Sequence, residues 1–472
     1  MALVLRGEPA ASGGVMATEQ LLLNMDDLTS LIEKGERQQL RLLLNDQHAP
    51  DLTEVLQELD LPSRLACFRL LDLDNASAVL AEMDSDHQRA LLKNLGEIGV
   101  VQIISQMSPD DAADLLAELP KDKAASIISQ MSDNDAIGDL YELMSFKDDS
   151  AGGIMSTDYL ALHARMPVEQ ALSELRSKYE QFDDHLYDLF VIDSSAKLVG
   201  QLSVKDLLTA PPEAMIESIM DRNVIAVATT TDQEEAAEKL ARYDLLTLAV
   251  IDDQGRLRGV ITADDALDVI QEEATEDIYQ SSGINTTSSD GSENLSSSVR
   301  NAFKARLPWL VITLAIESGS AMVITHFDAV IQQAVIAAAF MPLLTSVTGS
   351  VAMQSTCIVI RTQKKQITMR SVLRNLWHEA RVGMLLGLAC GTATSVVSSF
   401  FRLGGNLGLV VGASLCLTMS IGVLIGTLIP IIFDRLGIEP AHASGPLITS
   451  VLDVCTMTIY LSIVHAFLSH II

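Results

Sequence analysis

The sequence predicts a multidomain chain: an all-α superhelical N domain, an α/β domain built from a tandem duplication, and an all-α polytopic membrane domain. Three observations carry that prediction. The net charge is −30 although mean hydropathy is positive at +0.28. The conflict resolves when the chain is cut: residues 301–472 hold ten basic and six acidic residues, while 1–300 hold 22 and 56. Two kinds of internal repeat occupy the acidic part, and five long apolar runs occupy the rest.

Taken in order, residues 1–19 are expected to be disordered, and "MALVLRGEPAASGG" is too short and weakly apolar for a signal peptide. Residues 20–149 read as helical repeats. "IISQMSPDDAADLL" from Ile103 and "IISQMSDNDAIGDL" from Ile127 lie 24 residues apart, with a weaker cousin at Leu80–Leu92. Each carries an apolar face and an Asp-rich turn suited to starting a helix, so capping is the simpler reading of Asp110, Asp111 and Asp133.

Residues 150–275 hold the second duplication. "LFVIDSSAKLVGQLSVKDLL" (Leu189–Leu208) matches "LAVIDDQGRLRGVITADDAL" (Leu248–Leu267) at a constant shift of 59, each reading strand, turn, strand, helix. "IMSTDYLALHA" and "IMDRNVIAVAT" form a second matching pair upstream. An acidic connecting helix and linker span 265–300. In "ADDALDVIQEEATEDIYQ", Asp265, Asp268, Glu272 and Glu276 fall three, four and four residues apart, on one helical face. Like charges at that spacing repel. Only Arg256 and Arg258 are near in sequence, so the face is either solvated or closes when divalent cations screen it. "SSGINTTSSDGSENLSSS" then leads to the apolar half.

The membrane domain, 301–472, reads as five spans: Leu307–Phe327, Ala329–Ile360, Val382–Phe401, Leu403–Phe433 and Pro446–Ile472. About 20 apolar residues cross a bilayer core. The second run has 32 uncharged residues and must be long, tilted or broken, with Pro342 and Gly349 as candidate break points. Six basic residues between Arg361 and Arg381 mark a cytoplasmic loop. Five crossings then put the N-terminal domains in the cytoplasm and the C-terminus outside. The expected location is the cell (inner) membrane.

Asp453 and Glu317 are the carboxylates well inside these spans. A charge there costs roughly 2.5–3.5 kcal/mol on insertion scales and persists where it faces a bundle interior or a watery path. No Lys or Arg lies within the spans to neutralise Asp453, so its counter-charge is read as a mobile cation. Glu317 is left open between a structural contact and the path. Mg²⁺ suits such a site, since it keeps its waters and takes a few hard oxygens. Thr449, Ser450 and Thr456 lie near Asp453, and "TGSVAMQST" supplies Ser350, Gln354 and Ser355. The five scattered cysteines argue against a disulfide framework, a zinc site or a soft-metal site. The acidity argues against nucleic acid. His378-Glu379 lacks the second His of an H-E-x-x-H metalloprotease helix, and no G-x-x-x-x-G-K-[ST] loop for ATP hydrolysis exists, so no enzyme activity is expected.

The duplication at 150–275 resembles a tandem of CBS domains. That resemblance implies a fold that often binds ATP or another adenine nucleotide, with ribose contacts at Ser203 and Asp206 and at Thr262 and Asp265. Over nearly its whole length the chain resembles the MgtE family of magnesium channels or transporters, through "DDSAGGIMSTDYLAL", "EEATEDIYQ", "RLPWL" and "ASGPLITSVLD". The resemblance implies a homodimer with a pore on its two-fold axis, Asp453 as the pore carboxylate, and closure by cytosolic Mg²⁺. The regulatory ligands it implies are Asp265, Asp268, Glu273, Glu276 and Asp277, with Asp232, Glu234 and Asp244. Asp110, Asp111 and Asp114 in "SPDDAAD" are added to these. One departure stands out. The family pattern approximates Gly-Asn-x-Gly-x-Gln, and here it reads Gly349-Ser350-Val351-Ala352-Met353-Gln354. Losing the amide oxygen bears on which hydrated ion fits. The expectation is a Mg²⁺-gated importer of Mg²⁺. Import of Co²⁺, Mn²⁺ or Zn²⁺, and a non-transporting Mg²⁺ or nucleotide sensor, are the alternatives.

Overall fold

A computed structural model describes residues 36–178, 188–285, 299–363, 369–400, 407–436 and 445–467, with isolated positions at 28–34, 438 and 440. The expectation for 1–19, most of the Ser-rich linker, and Lys364 and Lys365 lie outside the described residues. The chain divides into two units, Met1–Ala266 and Leu267–Ile472.

The first unit opens with short helices: α1 (Arg37–Leu44), α2 (Ala49–Glu58), α3 (Leu61–Phe68), α4 (Leu73–Ala81), α5 (Ser85–Asn94), α6 (Glu97–Ile104), α7 (Pro109–Ala117), α8 (Lys121–Ile128) and α9 (Asn134–Leu143). None is long enough to be stable alone. All but α3, which buries Cys67 and Phe68, bury leucines, isoleucines or alanines, and helices two apart in sequence pack together: α2 on α4, α4 on α6, α6 on α8, α7 on α9. That stepwise stacking is the superhelix the repeat predicts. Capping falls differently on the two copies. Asp133 caps α9, accepting from the Asp135 and Ala136 amides. Ser108 caps α7, accepting from the Asp111 amide at 3.4 Å and donating to Asp111 Oδ2 at 2.6 Å. Asp110 is therefore not a cap, and Asp111 is the reciprocal partner of one.

The duplication folds as two three-stranded sheets. The first holds β1 (Ala161–His163), β2 (Asp188–Ile192) and β3 (Leu198–Ser203). The second holds β4 (Ala226–Ala228), β5 (Thr247–Ile251) and β6 (Leu257–Thr262). In each, the first pair is parallel and the second antiparallel, with an irregularity at Val191/Ile192 and at Val250/Ile251, 59 residues apart. Helices α10 (Val168–Lys178), α11 (Val204–Thr209), α12 (Ile216–Ile219) and α13 (Gln233–Arg242) complete the motifs. The halves are exchanged. Ser156 exchanges backbone hydrogen bonds with Val260, and Asp221 with Gln201. Met155 thus covers Gly259 and Met220 covers Gly200, where a Cβ would sit 2.7 and 2.5 Å from the sulfur. Only glycine permits that approach. Phe190, Ala249, Leu257 and Val260 bury the seam between the sheets.

Helix α14 (Ala263–Ser281) carries the chain across the division. The second unit has α15 (Val299–His326), α16 (Asp328–Gln333), α17 (Val335–Ala338), α18 (Met341–Gln363), α19 (Met369–Phe400), α20 (Leu407–Arg435) and α21 (Gly445–Ala466). Among the described residues, five segments are long and apolar enough to cross a membrane: Val299–His326, Val335–Arg361, Val372–Ser398, Leu407–Arg435 and Gly445–Ala466.

Two expectations are corrected here. The second run is broken, but at Ala334 (φ −129°, ψ 60°) and again before Met341, not at Pro342 or Gly349. Pro342 lies in the first turn of α18, where a missing N–H costs nothing. Tyr460, wholly buried, donates to the Ala337 carbonyl at 2.7 Å, adding to the Phe340 amide that reaches it at 3.1 Å beside the break. The third span begins near Val372 rather than Val382, which places Glu379 inside it. Small residues set the α19–α20 contact: a Cβ on Gly387 would lie 2.8 Å from the Cys416 backbone, and one on Gly391 would overlap the Gly412 carbonyl. Close backbone approach of this kind is how helices associate where lipid offers no hydrophobic driving force.

Candidate functional site

Asp453 sits half-buried near the middle of α21, a helix that packs against both α15 and α18. Its carboxylate is in hydrogen-bond contact with Glu317 of α15, which is also half-buried. The sequence flagged both acids but gave no reason to pair them, since 136 residues separate them. The α15–α21 approach is made at Gly319, where a Cβ would lie 3.3 Å from a Val454 methyl.

Ser350 and Gln354 occupy one exposed face of α18, four residues apart. Ser350 Oγ donates to the Ser346 carbonyl at 2.8 Å. Among the described residues, no hydrogen bond joins either one to Asp453. The helices do converge one turn earlier, at Gly349 and Thr449, with 3.3 Å from a would-be Cβ to Thr449 Cγ2. Glu379 enters the sequence analysis only as part of an incomplete H-E-x-x-H motif. It is buried on α19, accepts from Ser355 Oγ at 2.9 Å, and lies 3.3 Å from His378 Nδ1.

A second group of carboxylates gathers in the first unit. Asp110 and Asp111, at the start of α7, lie close enough to Asp264 and Asp265 for their charges to act on one another. Burial and the Asp110 charge push the Asp265 carboxyl up to about 7, against the Thr262 hydroxyl that holds it down. Burial and Asp110 likewise push Asp111 up to about 6. One oxygen of Asp110, Oδ1, is buried with no hydrogen-bond partner. Asp264 was not among the sequence candidates; its adjacency to Asp265 was the available signal. Asp114 is exposed one turn further along α7. The arginines nearest in sequence do not neutralise these acids: Arg256 and Arg258 hold Asp252 at 2.7 and 3.2 Å, and Arg258 reaches Glu142 at 3.2 Å.

The remaining expected ligands are spread out. Asp232 caps α13, accepting from the Glu234 amide at 3.0 Å. Asp244 follows that helix in the left-handed region, at φ 53°. Asp268, Glu273, Glu276 and Asp277 lie along α14, where burial and then the Asp268 and Glu276 charges raise Glu272. Glu272 and Asp111 each keep over a third of their surface in water, so repulsion is the part of the effect that survives hydration. Among the described residues, no three Asp, Glu, His or Cys side chains converge closely enough to grip a bare ion. The expected ribose contacts are helix starts: Ser203 Oγ donates to Asp206 Oδ2 at 2.7 Å, and Thr262 pairs with Asp265 in the same way.

The far end of α14 meets the membrane helices. Gln280 is buried there, and the Ser281 carbonyl lies 3.5 Å from where a Cβ on Gly445, the first residue of α21, would stand. Met353 of α18 closes the same corner, its sulfur 3.1 Å from that point. Beyond it, Asn285 accepts from the Trp309 indole N–H at 2.6 Å, and its amide donates to the Ala305 carbonyl.

Comparison with known proteins fits this layout. Residues 341–463 match the divalent cation transporter family MgtE, residues 47–149 the MgtE intracellular N domain, and residues 151–213 and 216–272 the CBS domain. The chain is 35% identical over 329 residues to a magnesium transporter MgtE of Bacillus subtilis, covering 69% of this chain and 71% of that protein. It is 34% identical over 328 residues to that of Thermus thermophilus, covering 69% and 72%. A solved cytosolic domain of the Mg²⁺ channel MgtE in complex with ATP superposes with a TM-score of 0.50 at 32% identity, covering 52% of this chain and all of that one.

Proposed function

Because this chain belongs to the MgtE family of magnesium transporters and is a multi-pass membrane protein, we propose that two copies form a Mg²⁺ pore with Asp453 as its carboxylate. The observation that carries this reading is the half-buried acid on α21, a helix that itself carries no Lys or Arg. Ser350 and Gln354 supply neutral oxygens on α18. The basic loop between Arg361 and Arg381 argues for cytoplasmic N-terminal domains and an outside C-terminus. No ATP-hydrolysing loop is present in the sequence, so the membrane potential drives entry, worth about 4.6 kcal/mol for a divalent ion at 100 mV.

Gating follows from the second acid group. When cytosolic Mg²⁺ is scarce, Asp110, Asp111, Asp264 and Asp265 repel, and α7 parts from the start of α14. When it is plentiful, hydrated Mg²⁺ bridges them, and mass action favours the closed arrangement. Asp114 on α7, Asp232, Glu234 and Asp244 at α13, and Asp268, Glu273, Glu276 and Asp277 along α14 are the further acids of this regulatory reading. The contact of Ser281 with Gly445 supports a direct mechanical link, since movement of α14 displaces the start of the helix that carries Asp453.

The ATP complex of the related cytosolic domain favours a further regulatory reading. Here an adenine nucleotide binds near Ser203 and Asp206, or Thr262 and Asp265, and tunes the response to Mg²⁺.

The test is Mg²⁺ uptake into proteoliposomes by the intact chain and by Asp453→Asn. Uptake by the intact chain that the variant abolishes is the expected result. Equal uptake by both would move the pore elsewhere, and no uptake by the intact chain would favour a sensor.

A further inference from the structure

The Glu317–Asp453 contact is not explained by the single-carboxylate pore. Two acids brought into contact within apolar spans are an arrangement that positive charge between them stabilises. Neither α15 beyond Arg306 nor α21 carries a Lys or Arg to provide it. Glu317 touches Asp453, whereas the Ser350 hydroxyl donates to its own helix.

A second observation comes from the same helix. α15 exposes most of its length, and Ser320 is its one buried residue, 8% exposed. Ser320 lies one turn beyond Glu317 on the same face, beside Gly319, where α15 meets α21. Its hydroxyl is buried without any partner, although a helical serine ordinarily satisfies itself on the preceding turn. An unmatched buried hydroxyl is costly, and one water of a hydrated cation would satisfy it.

Resting on the pore reading above, we propose that Glu317 is a second ion-ligating carboxylate, which together with Asp453 of the same chain holds a divalent cation in transit, with Ser320 receiving one of the ion's waters. The pair brings two negative charges to each protomer's share of the path. A site of this kind favours divalent over monovalent cations, and it takes hard, water-keeping ions through one or two carboxylates. It also gives a reason for an acid on a helix that is otherwise largely apolar.

The experiment uses the full chain in proteoliposomes, with Mg²⁺ uptake read against external Mg²⁺, and Mn²⁺ binding to the solubilised chain read by EPR. Glu317→Gln is expected to raise the half-saturating Mg²⁺ concentration and the Mn²⁺ dissociation constant by about tenfold or more. Glu317→Asp is expected to recover most of that loss. If Glu317→Gln matches the intact chain while Asp453→Asn is silent, the proposal is wrong and the pore reading stands. If Glu317→Gln and Glu317→Asp fail alike and both elute as aggregates, Glu317 is a packing group and the proposal is overturned. If the intact chain neither takes up Mg²⁺ nor binds Mn²⁺, the pore reading fails and this inference falls with it.

Discussion

Asp265→Asn is the substitution that separates repulsion from ligation in the cytosolic acid group. In the folded chain Asp265 is raised to about 7, mainly by burial and the Asp110 charge. An ordinary aspartate titrates near 4, so the difference is about three units, or roughly 4 kcal/mol at most. Asp265 keeps partial contact with solvent, so about 2 kcal/mol is a fair lower figure. The sign is clear: the folded state binds more protons than the unfolded state between about pH 4 and 7, so its stability falls as pH rises through that window. Asparagine is isosteric and can still accept from the Thr262 hydroxyl, so the start of α14 is preserved. Amide exchange of the full chain, followed at Asp111 and Ala112, reads the opening of this region. Without Mg²⁺ at pH 7.5, the variant is expected to be protected roughly 30- to 1,000-fold more than the native chain. Saturating Mg²⁺ should then add less protection to the variant than to the native chain. Lowering the pH of the native chain to 5.5 should mimic the substitution. Unchanged protection without Mg²⁺, in a chain that still responds to Mg²⁺, would refute the repulsion argument.

Two further predictions concern the membrane helices. Gly387→Ala places a methyl 2.8 Å from the Cys416 backbone, which cannot rotate away, so α19 and α20 must separate. The expected cost is about 1–3 kcal/mol, seen as a lower unfolding midpoint in detergent. Tyr460→Phe removes the hydroxyl that serves the Ala337 carbonyl and leaves it only the Phe340 amide at 3.1 Å. A loss of about 0.5–1.5 kcal/mol is expected, with faster amide exchange across 335–340.

Much of this architecture is legible in the sequence because it follows from short-range patterns. The 59-residue duplication reappears as two sheets whose registers match strand for strand, down to the irregularity beside Val191 and Val250. The helical repeat likewise reads through to α6–α9, although the cap shifts from Ser108 to Asp133. Hydropathy finds five spans because a bilayer demands length and apolarity, both local properties. It misplaces the break in the second run for the same reason. Proline and glycine are local signals, whereas the break at Ala334 is stabilised by Tyr460, over 120 residues away.

What the sequence alone determined is the division into an acidic part and a membrane part, the two repeats, and the isolation of Asp453 and Glu317 in apolar surroundings. Tertiary structure decided which acids meet. Asp110 and Asp111 face Asp264 and Asp265 because the start of α7 folds against the start of α14. Glu317 meets Asp453 because Gly319 lets α15 close on Val454. Spacing along a helix or strand fixes which side chains share a face, but the distance between charges on separate elements depends on how those elements pack. That packing is set by small residues and buried hydroxyls whose role is invisible until their partners are known.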